Sequence, residues 1–156
     1  MEQVSWDDAQ AFIKKLNSLT GRTYRLPTAV EWEYAMSGGG KKQKWAGTDN
    51  VDELGDYAWI SVNSGYSTHP VGQKKPNRLS IYDMSGNVSE WCQDQLEFDK
   101  KQGETEIQPT RHVRGLSWND TIQGWLSVAA PEANQDKETG FRIARSLTAA
   151  ELSSLK

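Results

Sequence analysis

Apolar residues recur at helical spacing in a segment near the start of the chain. They are Ala9, Phe12, Ile13, Leu16 and Leu19, which share one face of a helix. Ser5 can cap this segment, Asp8 follows three residues later, and Gly21 is a suitable stop. The pattern therefore predicts a first amphipathic helix between Ser5 and Gly21.

A second helical segment begins at Thr28, which forms a capping-box pattern with Glu31. The residues of its inner face are Trp32, Ala35 and Met36. Three consecutive glycines at residues 38–40 end this predicted helix and precede a basic turn.

The pattern changes after residue 44. Residues 45–79 are rich in glycine, serine and asparagine, and the recurring aromatic residues favour coil with short strands rather than a linker. Residues 97–110 are predicted to form a charged, exposed loop, and residues 147–156 a short helix. Alternation predicts strands at 112–114 and 141–144, with a polar, irregular stretch between them. Two helices followed by short strands and much irregular chain indicate an α+β fold.

Composition narrows the function classes. The 156 residues suffice for one domain, the mean hydropathy is −0.75, and the net charge is −3. The sequence has no cluster of lysine and arginine that would indicate nucleic acid as a partner. It also has no apolar run long enough for a membrane span. No signal peptide opens the sequence, so a cytoplasmic location is expected if the chain is complete.

The residues available for metal chemistry are few. Cys92 is the only cysteine, which excludes an internal disulfide and a cysteine-based zinc site. The only histidines are His69 and His112, which excludes a site of three histidines. Seven tryptophans are many for this length, and four of them are predicted to lie in the core: Trp6, Trp32, Trp59 and Trp91.

Six co-linear motifs between residues 4 and 145 together carry a resemblance. They are Val4-Ser5-Trp6-Asp7-Asp8-Ala9; Tyr24-Arg25-Leu26-Pro27-Thr28 with Glu31-Trp32-Glu33-Tyr34-Ala35; His69-Pro70-Val71-Gly72 with Asn77; Ile81-Tyr82-Asp83-Met84-Ser85-Gly86-Asn87-Val88 with Glu90-Trp91; Val113-Arg114-Gly115 with Ser117-Trp118; and Gly140-Phe141-Arg142. In order and spacing they resemble the formylglycine-generating enzyme, or sulfatase-modifying factor, family. The resemblance implies a C-type-lectin-like fold with little regular structure, forming one domain over residues 1–156 with a tail at 146–156.

The resemblance implies an oxidase chemistry that this chain lacks the residues to perform. Enzymes of the family oxidise a cysteine of sulfatases with two copper-binding cysteines, and the matching positions here are Asp120 and Trp125. Neither residue offers the thiolate that Cu(I) prefers. A related branch uses iron held by three histidines, which this sequence cannot supply. We therefore predict no enzyme activity and no copper, iron or organic cofactor; an active oxidase would have to rely on Cys92 alone.

The resemblance also implies a structural calcium site. By position its ligands would be the side chains of Asp83 and Glu90 and the carbonyl oxygens of Gly86 and Val88. The alternative is that the two carboxylates only hydrogen-bond loop backbone. Ser89, between two of these residues, stands where the family usually has tryptophan.

The polar stretch at 118–139 is the second candidate site. In C-type-lectin-like folds the matching region is the exposed ligand-binding face, and diversity-generating retroelements mutate it in their variable proteins. The surface contacts implied are Trp118, Asn119, Asp120, Thr121, Gln123 and Trp125, with Trp125 as the aromatic anchor. The alternative is that both tryptophans belong to the core. The leading hypothesis is a non-catalytic module that binds a protein or carbohydrate ligand.

A second hypothesis is an accessory or regulatory family member that acts by assembly with another protein. Family members usually carry further strands before the Val4 motif, and these would flank the strand at 140–142. We expect a partner chain or a second copy of this chain to cover that edge.

Overall fold

The computed structural model describes residues 2–96, 110–123 and 127–154, with the side chains of 127–129 left out of the account. The helices are α1 (Trp6–Thr20), α2 (Ala29–Met36), α3 (Leu54–Tyr57, after a 3-10 turn at Val51–Glu53) and α4 (Ala149–Ser153). The strands are β1 (Tyr24–Arg25), β2 (Ser89–Leu96), β3 (Thr110–Arg114), β4 (Ser127–Pro131), β5 (Thr139–Gly140) and β6 (Ala144–Arg145). No helix among the described residues has the length and apolar character needed to cross a membrane.

Helix α1 begins and ends where the sequence predicts. The Ser5 hydroxyl accepts a hydrogen bond from the Asp8 amide at 3.0 Å, and the Asp8 carboxylate accepts one from the Ser5 amide at 2.9 Å. Gly21 adopts φ = 65°, and its amide donates to the Asn17 carbonyl at 2.9 Å. Local hydrogen bonds thus close both ends of the helix.

Helix α2 also carries the predicted capping box. Thr28 and Glu31 exchange side-chain to backbone hydrogen bonds. The Glu31 carboxylate also accepts hydrogen bonds from both terminal nitrogens of Arg25, at 2.5 and 2.7 Å. This forked pair lowers the pKa of Glu31 to about 2, since the Arg25 hydrogen bonds and then the Thr28 amide favour the charged carboxylate. Strand β1 is thereby joined to the start of α2.

The main sheet has the order β4-β3-β2-β5. Strand β2 is antiparallel to β3, where Glu90 lies opposite Arg114 and Trp91 opposite Val113, and it is parallel to β5. Strands β3 and β4 are antiparallel. Strands β1 and β6 form a separate antiparallel pair. The short β5 is an outer strand of the main sheet, at the edge for which the sequence analysis expects a covering chain.

The strand prediction at 141–144 is wrong in its bounds. The structure has β5 at Thr139–Gly140 and β6 at Ala144–Arg145, and residues 141–143 are not in a strand. Phe141 packs edge-on against Phe12 with ring centroids 5.5 Å apart, while the next side chain, Arg142, binds Glu90. Two successive inward side chains are incompatible with the alternation of a strand.

Among the described strands, β1, β2 and β4 are absent from the sequence-based prediction. Residues 89–92 at the start of β2 are all buried, so they show no alternation to detect. Strand β4 lies inside the 118–139 stretch that was expected to be irregular. The strand expected at 112–114 is confirmed as part of β3, and the predicted loop at 97–110 lies outside the described residues except for Thr110, which begins β3.

Among the described residues the core consists of three clusters, two of which meet at β2. Trp91 packs with Ala9 and Ile13 of α1, and Cys92 packs with Trp32 and Met36 of α2. A third cluster gathers Trp45, Leu54, Ala58, Ile60 and Leu116 from the irregular part of the chain. Of the four tryptophans predicted in the core, Trp32 and Trp91 are fully buried, while Trp6 and Trp59 are half-buried.

Candidate functional site

A tight polar turn follows β3 and forms the start of the predicted binding stretch. The Ser117 amide donates to the Asp120 carboxylate at 2.6 Å, and the Asn119 amide donates to the Ser117 hydroxyl at 3.2 Å. Such side-chain to backbone bonds fix a loop without regular structure. The conformation of residues 117–120 is therefore set locally.

The rest of the molecule holds this turn from several sides. The Ser61 amide donates to the Asp120 carbonyl at 3.0 Å, and the Ser64 hydroxyl donates to the Trp118 carbonyl at 2.8 Å. The Trp118 amide donates to the carbonyl of Asn87 at 2.8 Å. These hydrogen bonds fix the backbone of the turn. Because they are made to backbone atoms of Trp118 and Asp120, outward side chains of the turn can vary without loss of these three hydrogen bonds.

Two further acidic residues, Asp136 and Glu138, lie in the segment before β5, and Glu138 contacts the turn. Glu138 accepts hydrogen bonds from the Ser117 hydroxyl at 3.2 Å and from the Asn119 side-chain amide at 2.9 Å. Burial raises the pKa of Asp136, but hydrogen bonds from Thr139, Asn134 and the Glu138 amide outweigh it and leave that pKa below its usual value. Both carboxylates therefore accept hydrogen bonds that stabilise the local loop structure.

A cavity of about 400 Å³ opens beside these carboxylates. Its lining includes Ser89, Asp120, Ala130, Asp136, Glu138 and Thr139. Ser89 contributes only a hydroxymethyl group to this wall, so the space that a larger side chain would fill stays open. The cavity and the turn form one continuous surface, which we call the 117–139 surface.

The predicted contact residues divide by exposure. Asn119, Thr121 and Gln123 are exposed, and Asp120 is half-buried. Trp118 is half-buried and is not a core residue. Its indole N–H donates to the Lys137 carbonyl at 3.0 Å, so its side chain also stabilises the loop. Trp125 lies outside the described residues.

Sequence reasoning missed several contributors to this surface. Asp136 and Glu138 lie within the predicted stretch, yet no local pattern distinguishes them from other exposed acidic residues. Ile122, 41% exposed, lies among the predicted contacts without having been singled out. Ser61 and Ser64 are more than 50 residues away in the chain, and only the folded structure brings them to the turn.

The residues predicted to bind calcium lie at a second cavity, of about 650 Å³. Asp83, Val88 and Glu90 line it together with Arg142, whereas Gly86 packs against the backbone of Trp59. The Glu90 carboxylate is nearly buried and forms an ion pair with Arg142. Within the described residues there is no group of three or more histidine, cysteine, aspartate or glutamate side chains arranged to hold a metal ion.

Comparison with known proteins identifies the family. The model of the sulfatase-modifying factor enzyme 1-like domain matches residues 1–147. The chain belongs to this family. The motif-based resemblance and the predicted α+β, C-type-lectin-like fold are thereby confirmed.

Relatives of this sulfatase-modifying factor domain differ in the activity their names describe. The formylglycine-generating enzyme of Streptomyces coelicolor is 35% identical over 165 residues, covering 90% of this chain and 51% of that protein. The inactive C-alpha-formylglycine-generating enzyme 2 of Bos taurus is 32% identical over 159 residues, covering 90% of this chain and 48% of that protein. The chain therefore spans about half the length of these curated relatives.

A solved structure gives the same fold. Variable protein 1 of Treponema denticola superposes with a TM-score of 0.78 at 29% identity, covering 92% of this chain and 69% of that chain. The backbone resemblance thus extends over nearly all of the chain.

Cys92, the single thiol of this family member, is buried. It lies in β2 at 0% exposure, and burial raises the pKa of the Cys92 thiol to about 12. A thiol with so high a pKa is almost entirely protonated at neutral pH, so it is a poor nucleophile and a poor metal ligand.

Proposed function

We propose that this domain is a non-catalytic binding module that presents the 117–139 surface to a protein or carbohydrate ligand. The observation that carries the proposal is the identity and hydrogen bonding of Asp120. In the family's enzymes the matching position is a copper-binding cysteine, whereas the Asp120 carboxylate here binds the Ser117 amide and stabilises the turn. The position thus has a structural use that does not require a metal.

The available donors do not fit the copper site of the family's enzymes. Cu(I) prefers thiolates, and the two matching positions hold a carboxylate at Asp120 and an indole at Trp125. Cys92 is buried in β2 and has a pKa of about 12, so it does not replace them. Similarity to the inactive bovine homologue supports the same conclusion.

The geometry of the surface suits binding. Hydrogen bonds to Ser61, Ser64 and Asn87 hold the turn, so little backbone freedom is lost when a ligand is bound. The side chains of Asn119, Thr121 and Gln123 are exposed and can hydrogen-bond a ligand. Similarity to the Treponema denticola variable protein supports a role in which this surface is the variable part.

The absence of oxidase activity is tested by copper loading. Oxygen consumption is measured with Cu(I) and a cysteine-containing peptide, with the Streptomyces coelicolor enzyme as positive control. We expect no copper-dependent oxygen consumption and no tight Cu(I) binding by this chain. The double variant Asp120→Cys/Trp125→Cys is expected to gain Cu(I) binding. Oxygen consumption that disappears in Cys92→Ser would establish an oxidase instead.

The binding role is tested with glycan and protein arrays. The wild type is compared with the triple variant Asn119→Ala/Thr121→Ala/Gln123→Ala, and with Lys14→Ala/Lys15→Ala on α1 as a matched surface control. We expect ligands of the wild type to be lost by the triple variant, by a factor of about ten or more, and retained by the control. Ligands retained equally by both variants would place binding elsewhere on the molecule.

A further inference from the structure

Glu90 is a nearly buried carboxylate that receives three hydrogen bonds from charged or aromatic donors. It is 5% exposed in β2. Its Oε2 accepts from the Trp32 indole N–H at 2.6 Å and from Arg142 Nε at 2.5 Å, and its Oε1 accepts from Arg142 Nη2 at 2.7 Å. The two arginine bonds form a bidentate pair, the strongest geometry for this kind of contact.

The same guanidinium also holds the loop that precedes β2. Arg142 Nη2 lies 3.1 Å from the carbonyl oxygen of Tyr82 and 3.3 Å from that of Asp83. The Asp83 side chain accepts the Gly72 amide at 2.7 Å, and its backbone has φ = 55°. One guanidinium therefore joins a buried carboxylate to two loop carbonyls.

This donor set does not fit calcium. Calcium takes six to eight oxygen ligands and depends on carboxylates whose charge is free. The charge of Glu90 is already balanced by Arg142, and a second, divalent cation there would face the fixed positive charge of the guanidinium. The Asp83 carboxylate is likewise engaged by the Gly72 amide.

We propose that Asp83 and Glu90 do not form the calcium site that the family resemblance implies, because the charge of Glu90 is already balanced by the Arg142 guanidinium. This guanidinium connects the chain after β5 to β2, to α2 through Trp32, and to the Asp83 loop. The domain then folds to full stability without calcium. This inference is independent of the proposed binding function.

Thermal unfolding with excess chelator and with millimolar calcium tests the wild type directly. We expect the melting temperature to be the same in both conditions. A melting temperature that rises with calcium, with the rise abolished by Asp83→Ala, would overturn the proposal. This comparison needs no variant other than one at a half-buried loop position, so it stands even if core variants fold poorly.

The variant Arg142→Met tests the role of the guanidinium itself. It removes the ion-pair partner of the nearly buried Glu90 carboxylate, so we expect the melting temperature in chelator to fall by roughly 10 °C. Calcium should then recover part of this loss, because both carboxylates become available to it. The matched control is Arg25→Met, which breaks the exposed pair with Glu31 and should cost only a few degrees without any calcium response.

Two results would contradict this part of the inference. One is a loss in Arg142→Met no larger than that in Arg25→Met. The other is an Arg142→Met protein that folds but gains no response to calcium. If Arg142→Met does not fold, Arg142→Lys keeps the charge without the bidentate geometry, and it must show an intermediate loss of melting temperature for the proposal to stand.

Discussion

At the scale of single residues, Gly86 shows how closely the irregular chain is packed. Its φ is +78°, and a Cβ at this position would lie 2.2 Å from the carbonyl oxygen of Trp59. The next amide, of Asn87, donates to that same carbonyl at 2.7 Å. Only glycine allows this approach of two backbone segments. The loop that carries Asp83 is therefore held against the third core cluster by backbone contact.

Replacement of Gly86 by alanine is expected to destabilise the domain more than the same change at Gly21. Both glycines have positive φ, but nothing lies within 4 Å of a Cβ at Gly21. Gly21→Ala should cost about 1 kcal/mol for the left-handed backbone alone. Gly86→Ala adds a steric overlap with backbone, so we expect a further cost of about 1–3 kcal/mol. Urea unfolding of the two variants measures the difference, and equal costs would mean that the Trp59 segment moves away freely.

At the scale of elements, β2 is the part to which both major helices attach. Its adjacent residues Trp91 and Cys92 point to opposite faces, one toward α1 and the other toward α2. The indole N–H of Trp91 donates to the Val4 carbonyl at 2.9 Å, which also fixes the chain that leads into α1. Residues 89–92 of β2 are all buried, which explains why this part of the strand lacks the alternation of a half-exposed strand.

The attachment of α1 is tested by two substitutions on the same helix. Ile13 is 4% exposed in the cluster with Trp91, whereas Leu19 is 75% exposed. Ile13→Ala is expected to lower the free energy of unfolding by about 2–4 kcal/mol through lost burial and the cavity left behind. Leu19→Ala should change it by less than about 0.5 kcal/mol. Circular dichroism during urea unfolding measures both, and a small cost at Ile13 would show that α1 is not anchored through this cluster.

At the scale of the whole molecule, three core clusters stabilise a chain with little regular structure. Trp91 and Cys92 join two clusters through one strand, and the third is tied to them by the contact of Gly86 with Trp59. In the part of the chain that the structure describes, each cluster is thus connected to another. We therefore expect a single cooperative unfolding transition rather than separate melting of helices and loops.

The reactivity of Cys92 reports this cooperativity. It is the only thiol, it is 0% exposed, and burial raises its pKa to about 12. At pH 8 we expect its reaction with a disulfide reagent to be slower than in the unfolded chain by a factor on the order of 1,000 or more. The labelling rate should rise with denaturant in parallel with the loss of secondary structure. Rapid labelling of the folded protein would instead reveal local opening at β2.

The sequence predicted those features that depend on neighbours along the chain. Ser5 with Asp8 and Thr28 with Glu31 form capping boxes within one helical turn, so both helices could be located before the structure was known. The co-linear motifs likewise identified the family. Strand β2 and the bounds of β5 and β6 were not predictable in this way, because burial on both faces removes the alternation that indicates a strand.

The sequence by itself determined helices α1 and α2, the α+β character, the family and the residues present at the metal positions, since these follow from residue identity and local spacing. Only the tertiary structure decided which groups those residues meet. It paired Glu90 with Arg142 across 52 positions of the chain, and it brought Ser61 to the backbone of Asp120. Hydrogen bonds between distant residues depend on how the chain packs, and the printed sequence contains no local signal for them.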